Sequence, residues 1–228
     1  MTRILLPLLF GLIGCAILAS LGKWQLDRLA WKESELATIE AKIAAPPMRL
    51  SDVAQPVGDR YTPVAISGRT LGRELLALVS VKQVGAGYRV ISAFETDTGR
   101  RVLLDEGFIR TTERDAPRPA VPMDVTGNLL APAEVDGFTP EPDLENSLIF
   151  ARDVGVMSAH LGTEPILVVA RTVSGTDARA TPLPVTSAGI PNNHLGYAVQ
   201  WFGLALVWAG MTAFYIWRIT RRGQGTKA

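Results

Sequence analysis

The chain has 228 residues, of which 47% are hydrophobic and 20% are charged, and its formal net charge is only +1. Such a balance is not typical of a nucleic-acid-binding protein, which presents a clustered basic surface. The single cysteine, Cys15, excludes a disulfide within the chain, copper delivery through paired thiolates and a structural zinc site built on cysteines.

The uneven distribution of charge along the chain predicts a membrane topology. Residues 22–193 contain all 22 acidic side chains, whereas residues 1–3 and 218–228 contain basic side chains and no acidic ones. Basic residues in short tails favour the cytoplasmic side of a membrane, and long loops cross it largely regardless of charge. We therefore expect residues 1–3 and 218–228 to be cytoplasmic tails, with both termini inside.

Two apolar runs predict transmembrane helices over residues 4–21 and 194–217. The second contains 23 uncharged residues from Leu195 to Trp217, about 34 Å of helix at ~1.5 Å per residue, which is enough to cross a bilayer. An apolar start at residue 4 favours a bacterial inner membrane over a mitochondrial transit peptide. Lipidation and cleavage at Cys15 is the alternative for the first run, but the run continues past Cys15, which favours an uncleaved helix.

Between the two runs the residue pattern changes from one typical of a helix to one typical of β-strands. A helix-compatible apolar spacing predicts a helical extension over residues 22–45, and residues 46–193 then form a mostly-β domain outside the cytoplasm, in the periplasm. One short helix is expected at Asp153–Leu161, capped by Asp153 and ended by Gly162. The predicted strands are Tyr61–Arg69, Leu75–Lys82, Tyr88–Thr96, Arg101–Arg110, Val125–Leu130, Leu148–Arg152 and Ile166–Val173.

The predicted fold is therefore a membrane α+β protein. Two transmembrane helices flank an extracytoplasmic, mainly antiparallel β domain with one short helix, and the strands form a small sheet or a partly closed barrel. Catalytic chemistry has little support, because the chain contains only two histidines, His160 and His194. Asp105 and Glu106 are adjacent on a strand and point to opposite faces, so they are not an acid–base pair. We therefore expect that the protein is not an enzyme.

His194 begins the second apolar helix, and aromatic side chains follow it on the same face. These residues, Tyr197, Trp201 and Trp208, together with His194 are the candidate cofactor-binding residues. A helix N-terminus disfavours an imidazolium, so the ring would stay available as a ligand for a metal in a flat, apolar cofactor. The alternative is that His194 is an anchor at the membrane surface with an ordinary aromatic belt behind it.

Small residues predict how the two helices pack. Gly196, Gly203 and Gly210 recur every seven residues on roughly the opposite side from His194. Small residues let helix backbones approach closely in lipid. We expect this glycine face to contact a ridge of small residues on the first helix, formed by Gly11, Cys15 and Ala19. The aromatic face would then be turned toward a ligand or a partner protein.

Several blocks of the chain together resemble the Surfeit locus protein 1 family of cytochrome c oxidase assembly factors. Leu21–Arg28 followed by Trp31-Lys32 is similar to the family's LGxWQxxRxxWK signature, and its motif residues here are Trp24, Gln25, Arg28, Trp31 and Lys32. The start of the second span, with His194, Tyr197 and Trp201, is the other specific block. Weaker similarities lie at Tyr61–Val64, Gly87–Val90, Arg101–Ile109 and Arg152-Asp153.

The resemblance implies a two-span membrane protein that helps to mature subunit I of a haem-copper oxidase. Some bacterial members of the family bind haem a, so the resemblance implies that His194 ligates the haem iron and that Trp201 lines the haem. The implied partners are oxidase subunit I, haem a synthase and the lipid bilayer. The alternative is a membrane scaffold that stabilises an assembly intermediate without binding haem. The chain departs from the family at Glu106 and Phe108, where an Arg and a Trp are usual, and at Ile149 and Phe150, where Trp-Tyr is common.

Overall fold

The computed structural model describes residues 2–176 and 179–224, and the chain divides into two units. The first, the helical unit, comprises Met1–Thr38 and Ala188–Ala228. The second, the β domain, comprises Ile39–Ser187. The expectation of two apolar helices at the ends of the chain and a β-rich domain between them is confirmed.

The helical unit is built from two long helices. Helix α1 spans Thr2–Ala44 without interruption, covering both the predicted span and the predicted extension, and α3 spans His194–Gln224. Ile4–Ala44 and His194–Arg221 are long and apolar enough to cross a membrane, by length and composition. At most 6% of their most apolar windows is buried within the protein, unlike the core helix of a water-soluble domain.

In the helical unit, hollows over the glycines of α1 receive large side chains from α3. A Cβ placed on Gly14 would lie 2.2 Å from Nε1 of Trp208, and one on Gly22 would lie 2.8 Å from the Phe202 ring. Gly11 meets Thr212 in the same way. The Cys15 thiol lies 3.7 Å from the carbonyl oxygen of Ala205. Close approach therefore depends on the glycines of α1.

The prediction that the glycine face of α3 contacts α1 is wrong. A Cβ on Gly196, Gly203 or Gly210 would meet no described atom within 4 Å, so this face is open in the part of the chain that the structure describes. Ala19, predicted to belong to the ridge on α1, is likewise exposed. The sequence predicts that small residues of one helix contact small residues of the other. In the structure, large side chains of α3 instead fill the space above the glycines of α1, and this also gives dense packing.

The strands of the β domain close into a five-stranded barrel. The order is β2–β3–β4–β7–β5, and β5 pairs again with β2, while two short strands, β1 and β6, pair with β2 from outside the ring. The pairs β2–β3, β3–β4, β5–β7 and β2–β5 are antiparallel. The bounds are β1 Met48–Arg49, β2 Pro63–Val81, β3 Gly85–Thr96, β4 Arg101–Arg110, β5 Pro122–Leu130, β6 Leu148–Ile149 and β7 Leu167–Ser174.

Strand β2 corrects the prediction of two separate strands over Tyr61–Arg69 and Leu75–Lys82. It runs for 19 residues, and its first part pairs with β5 while its later part pairs with β3. A register shift between Thr70 and Glu74 contains Gly72, whose φ of +70° is easy only for glycine. The glycine thus bends the strand as a bulge instead of ending it, and one strand serves both sides of the barrel.

Two further differences concern short or parallel pairings. The strand expected over Leu148–Arg152 is only Leu148–Ile149 and pairs with β2 in parallel. β4 and β7 are also parallel neighbours, whereas strands joined only by hairpins are all antiparallel.

The predicted short helix is confirmed as α2, Val154–Leu161. The Asp153 carboxylate accepts hydrogen bonds from the backbone N–H groups of Gly155 and Val156, and Gly162 is left-handed at φ +69°.

Strand β4 lies at the centre of the β domain and is buried on both faces. Val102 and Leu104 belong to the core inside the barrel, together with Phe94 and Val168. Leu103 belongs to a second core, in which α2 contributes Met157 and Leu161. The eight residues from Val102 to Ile109 are all buried, so polar side chains on β4 require partners within the domain.

Candidate functional site

His194 is the first residue of α3, and its ring contacts a family-motif residue of α1. Nδ1 of His194 lies 2.8 Å from the amide oxygen Oε1 of Gln25, across a sequence separation of 169 residues. Gln25 is buried, with 9% of its surface exposed, and His194 is half-buried. An amide oxygen only accepts hydrogen bonds, so Nδ1–H of His194 is the donor. Nε2 makes no hydrogen bond with any residue in the described ranges.

The three predicted aromatic residues do not surround His194 equally. Tyr197 is 51% exposed, and Trp201 is half-buried one heptad beyond His194. Trp208 packs over Gly14, and its ring centroid lies 5.3 Å from that of Phe10. Fourteen residues along a helix correspond to about 21 Å. Trp208 therefore packs against α1 near the middle of α3, about 21 Å along the helix from His194.

Two open spaces adjoin the helices of this unit. A polar recess of about 440 Å³ is lined by residues beside His194, among them Asn192, Asn193 and Tyr197. An apolar groove of about 850 Å³ is lined by Trp208, Met211 and other apolar residues of both helices. Both volumes are within the range of small-molecule sites. His194 itself is not among the residues that line either space, although its chain neighbour Asn193 lines the recess.

The motif residues around Gln25 lie on a different side of α1. Trp24 is 57% exposed and Trp31 is 47% exposed, and the Arg28 guanidinium carbon lies 3.9 Å from the Trp31 ring centroid, a cation–π contact. Lys32 is half-buried. The signature thus contributes one buried residue toward α3 and an exposed strip formed by Trp24, Arg28 and Trp31.

Sequence reasoning assigned Gln25 to the family motif and not to the site of His194. A signal was present in the spacing: Gly11, Leu18, Gln25 and Lys32 recur every seven residues, and all are buried or half-buried. A seven-residue repeat marks the side of a helix that packs against a partner helix. A glutamine at such a position needs a hydrogen-bonding partner on the other helix, and His194 supplies it.

The motif residues of the β domain converge on a buried carboxylate. Asp105 is fully buried, and its Oδ2 accepts hydrogen bonds from Nη1 of Arg89 at 2.7 Å and Nη1 of Arg152 at 3.0 Å. Its Oδ1 accepts from the backbone N–H of Gly107 at 3.1 Å. The carboxylate of Glu134 accepts hydrogen bonds from the other two guanidinium nitrogens of Arg152, Nε and Nη2. Both oxygens of Asp105 thus accept hydrogen bonds from the same chain, and the carboxylate is closed off from solvent.

The neighbouring Glu106 has separate partners. Ser92 donates a hydrogen bond to its carboxylate, and Nε of Arg179 lies 3.5 Å from Oε2. Burial raises the pKa of Glu106, and the hydrogen bond from Ser92 and the charge of Arg179 oppose this only in part. Asp105 and Glu106 therefore do not share a site. Among the residues that the structure describes, no group of three His, Cys, Asp or Glu side chains could hold a metal ion.

Comparisons with known proteins agree with the resemblance. The model of the SURF1 family matches residues 12–206. The chain is 26% identical to a SURF1-like protein of Rickettsia bellii, over 95% of this chain and 93% of that protein. It is 26% identical to Surfeit locus protein 1 of Rattus norvegicus, covering 90% of this chain and 73% of the rat protein, and 28% identical to the Homo sapiens protein, covering 81% and 69%. The family match extends from α1 across the β domain into α3, and the chain belongs to the SURF1 family.

Proposed function

We propose that this chain is an assembly factor for a haem-copper oxidase that binds haem a through His194 and passes it to oxidase subunit I. Proteins of the SURF1 family are oxidase assembly factors and not known enzymes. The observation that supports haem binding is the hydrogen bond between Gln25 and Nδ1 of His194. It leaves Nε2 as an imidazole nitrogen with a free lone pair, the usual form of an axial haem ligand.

The residues near His194 fit a haem that is cargo and not a permanent cofactor. His194 supplies one nitrogen ligand, Trp201 offers an aromatic surface one heptad away, and the exposed ring of Tyr197 borders the polar recess. One protein ligand leaves the other axial position for a second, weaker or transferable bond. Trp208 packs about 21 Å along the helix from His194, so we assign it to helix packing and leave it out of the haem site.

The proposed setting is a bacterial inner membrane crossed by α1 and α3, with both termini in the cytoplasm and the β domain in the periplasm. The two exposed apolar helices and the basic tails support this arrangement. His194 and Gln25 would then lie at the periplasmic surface of the membrane. Haem a synthase would be the source of the haem, subunit I the recipient and the bilayer the medium in which the three proteins meet.

The decisive experiment is the absorption spectrum of the full chain purified in detergent from cells that make haem a. We expect a haem a spectrum that disappears in His194→Ala. The matched control is His160→Ala, because His160 is the second of the chain's two histidines and is exposed on α2. A wild-type protein without haem absorbance, or a spectrum that survives His194→Ala, would refute the haem-binding function.

A scaffold that binds no haem is the second candidate. The exposed strip formed by Trp24, Arg28 and Trp31 supports it, because tryptophan and arginine are enriched at the energetic centres of protein interfaces. A scaffold predicts that Trp31→Ala reduces the yield of assembled oxidase more than His194→Ala does. A haem carrier predicts the reverse order.

A further inference from the structure

Gln25 and His194 form the polar contact between α1 and α3 that bears directly on the proposed site. The amide oxygen of Gln25 lies 2.8 Å from Nδ1 of His194, and the amide side chain is buried. We infer that Gln25 is a positioning residue for His194: it holds the proton on Nδ1 and thereby keeps the lone pair of Nε2 directed to the iron of the haem cargo. This inference rests on the proposed haem-binding function.

The argument depends on the two tautomers of a neutral imidazole. A neutral histidine has one proton on its two ring nitrogens, and only the nitrogen without the proton can bind a metal. Because Oε1 of Gln25 can only accept, it selects the tautomer with the proton on Nδ1. The amide nitrogen in the same place would donate to Nδ1 and move the proton to Nε2, which would then be unable to bind iron.

The contact also orients the ring of His194. The first residue of a helix lacks the packing that the preceding turn of a longer helix would provide, and its side chain would otherwise rotate. Gln25 lies well inside the 43-residue helix α1, so its backbone is a fixed point of attachment. A hydrogen bond from a buried side chain on a continuous helix restricts both the tautomer and the direction of Nε2, as second-shell partners do for metal-bound histidines in general.

The chemical nature of the partner suits a cargo that must be released. A carboxylate hydrogen-bonded to a histidine raises the basicity of the ligand and strengthens the metal bond. The amide of Gln25 carries no charge, so it orients the ring without this strengthening. We therefore expect glutamine to give a well-oriented ligand of ordinary strength, and glutamate at the same position to give a tighter complex.

The first test measures the tautomer without haem. Because the chain has two histidines, His160→Gln leaves His194 as the only imidazole, and its ring nitrogens can be observed by NMR in the detergent-solubilised full chain labelled with ¹⁵N-histidine. We expect the neutral ring to carry its proton on Nδ1, a mixture of tautomers in Gln25→Leu, and a return to Nδ1–H in Gln25→Glu. A neutral His194 ring with its proton on Nε2 in the His160→Gln protein, in which Gln25 is retained, would overturn the inference.

The second test measures haem a binding by the same proteins. Loss of a second-shell partner typically weakens metal binding about 10- to 100-fold, and we expect this loss in Gln25→Leu with an altered haem spectrum. Gln25→Glu should bind at least as tightly as the unsubstituted protein and release haem more slowly. The control is Ser20→Leu, a polar-to-leucine change on the exposed side of the same helix, which should bind haem normally.

The outcomes separate this inference from the function on which it rests. If the unsubstituted protein binds haem through His194 and Gln25→Leu binds it equally well with an unchanged spectrum, the inference fails and the proposed function stands. If the unsubstituted protein binds no haem, both fail. Should Gln25→Leu disturb the helix pair, as judged by tryptophan fluorescence, the NMR result for the unsubstituted ring and the release rate of Gln25→Glu still decide the question.

Discussion

The helical unit and the β domain each bring motif residues together through a buried polar contact, but the two contacts are completed differently. In the β domain, Asp105 uses both carboxylate oxygens for Arg89, Arg152 and the N–H of Gly107. In the helical unit, Gln25 engages only one of the two ring nitrogens of His194. The carboxylate of Asp105 is fully buried among donors of its own chain, whereas Nε2 of His194 has no hydrogen-bonding partner among the described residues.

This difference separates stability from binding. A buried charge that is fully paired stabilises the arrangement around it only as long as every partner is present. A buried side chain that orients another, while leaving one of its lone pairs free, prepares it for an external ligand. We therefore expect substitutions at Asp105 to affect folding of the β domain and those at Gln25 to affect the proposed binding of haem.

The largest effect is expected for Asp105→Asn. This change leaves the buried guanidinium groups of Arg89 and Arg152 without a full counter-charge, so the β domain should lose about 3–5 kcal/mol of unfolding free energy. The measurement is urea unfolding of the full chain, in which circular dichroism follows the loss of the β-sheet signal. All five tryptophans lie in the helical unit, so the fluorescence transition should stay in place.

The matched control for Asp105→Asn is Glu95→Gln. Glu95 pairs with Arg101 at the surface of the barrel, where solvent screening leaves an ion pair little effect on stability. Equal destabilisation by the two variants would mean that the cluster around Asp105 has no special role in stability.

The second prediction concerns the glycines of the helical unit. Gly14→Leu would place side-chain atoms where the Trp208 ring now lies, whereas Gly203→Leu would extend into open space. Overpacking typically costs about 1–3 kcal/mol, so we expect Gly14→Leu to loosen the helix pair and change the emission of Trp208, with little effect of Gly203→Leu. The opposite order would restore the original expectation that the glycine face of α3 meets α1.

A smaller effect is expected for Asp153→Ala. The carboxylate accepts from the N–H groups of Gly155 and Val156 at the start of α2, and loss of such a cap costs about 0.5–2 kcal/mol. Because Asp153 adjoins Arg152 but makes none of the hydrogen bonds to Asp105, the decrease should be clearly smaller than that of Asp105→Asn in the same urea experiment. Asp153→Asn, which keeps a capping oxygen, should be close to the unsubstituted protein.

The smallest expected effect is a change in pH dependence. Burial holds the pKa of Glu106 above its ordinary value, so between the two values the folded β domain keeps a proton that the unfolded chain loses. Its unfolding free energy should therefore fall as pH rises through this interval. Glu106→Gln should remove this decrease, as measured by urea unfolding at a series of pH values.

Glu134 supplies the opposite case for comparison. Although burial acts to raise its pKa, the hydrogen bonds and charge of Arg152 lower it overall. Its contribution to stability is complete above its ordinary pKa and is lost as pH falls through the lowered value. Glu134→Gln should therefore weaken the protein at neutral pH and reduce its loss of stability in acid. If both variants had the same pH profile, the assignment of these two carboxyl groups would be wrong.

Local signals were sufficient for the features that depend on neighbouring residues. Asp153 and Gly162 fix the ends of α2 because each acts within one turn of the helix. Gly72 also gives a local signal, but its meaning depends on the strands that flank it: with β5 on one side and β3 on the other, the chain continues through a bulge. The parallel pairing of β4 with β7 has no local signal at all.

Predicting the candidate site requires both local sequence signals and the packing of distant segments. Periodicity predicted that His194 and Trp201 share a face, but it cannot specify which face of α3 meets α1, and the choice of the glycine face was wrong. The contact between Gln25 and His194 joins residues at opposite ends of the chain. The resemblance singled out both residues separately, and only the packing of the helices explains why the two motifs belong together.

The closure of the barrel has a consequence for the order of folding. Because β2 pairs with β5 and β4 pairs with β7, the ring cannot close before the chain as far as Ser174 is available, and such distant pairings form slowly. In addition, the side chains of Asn128 and Arg171 donate to the carbonyl oxygen of Ile43 near the end of α1. During synthesis, α1 is complete first, the barrel next and α3 last. Gln25 therefore has no contact with His194 until α3 has been synthesised, so the proposed haem site is complete only in the full-length chain.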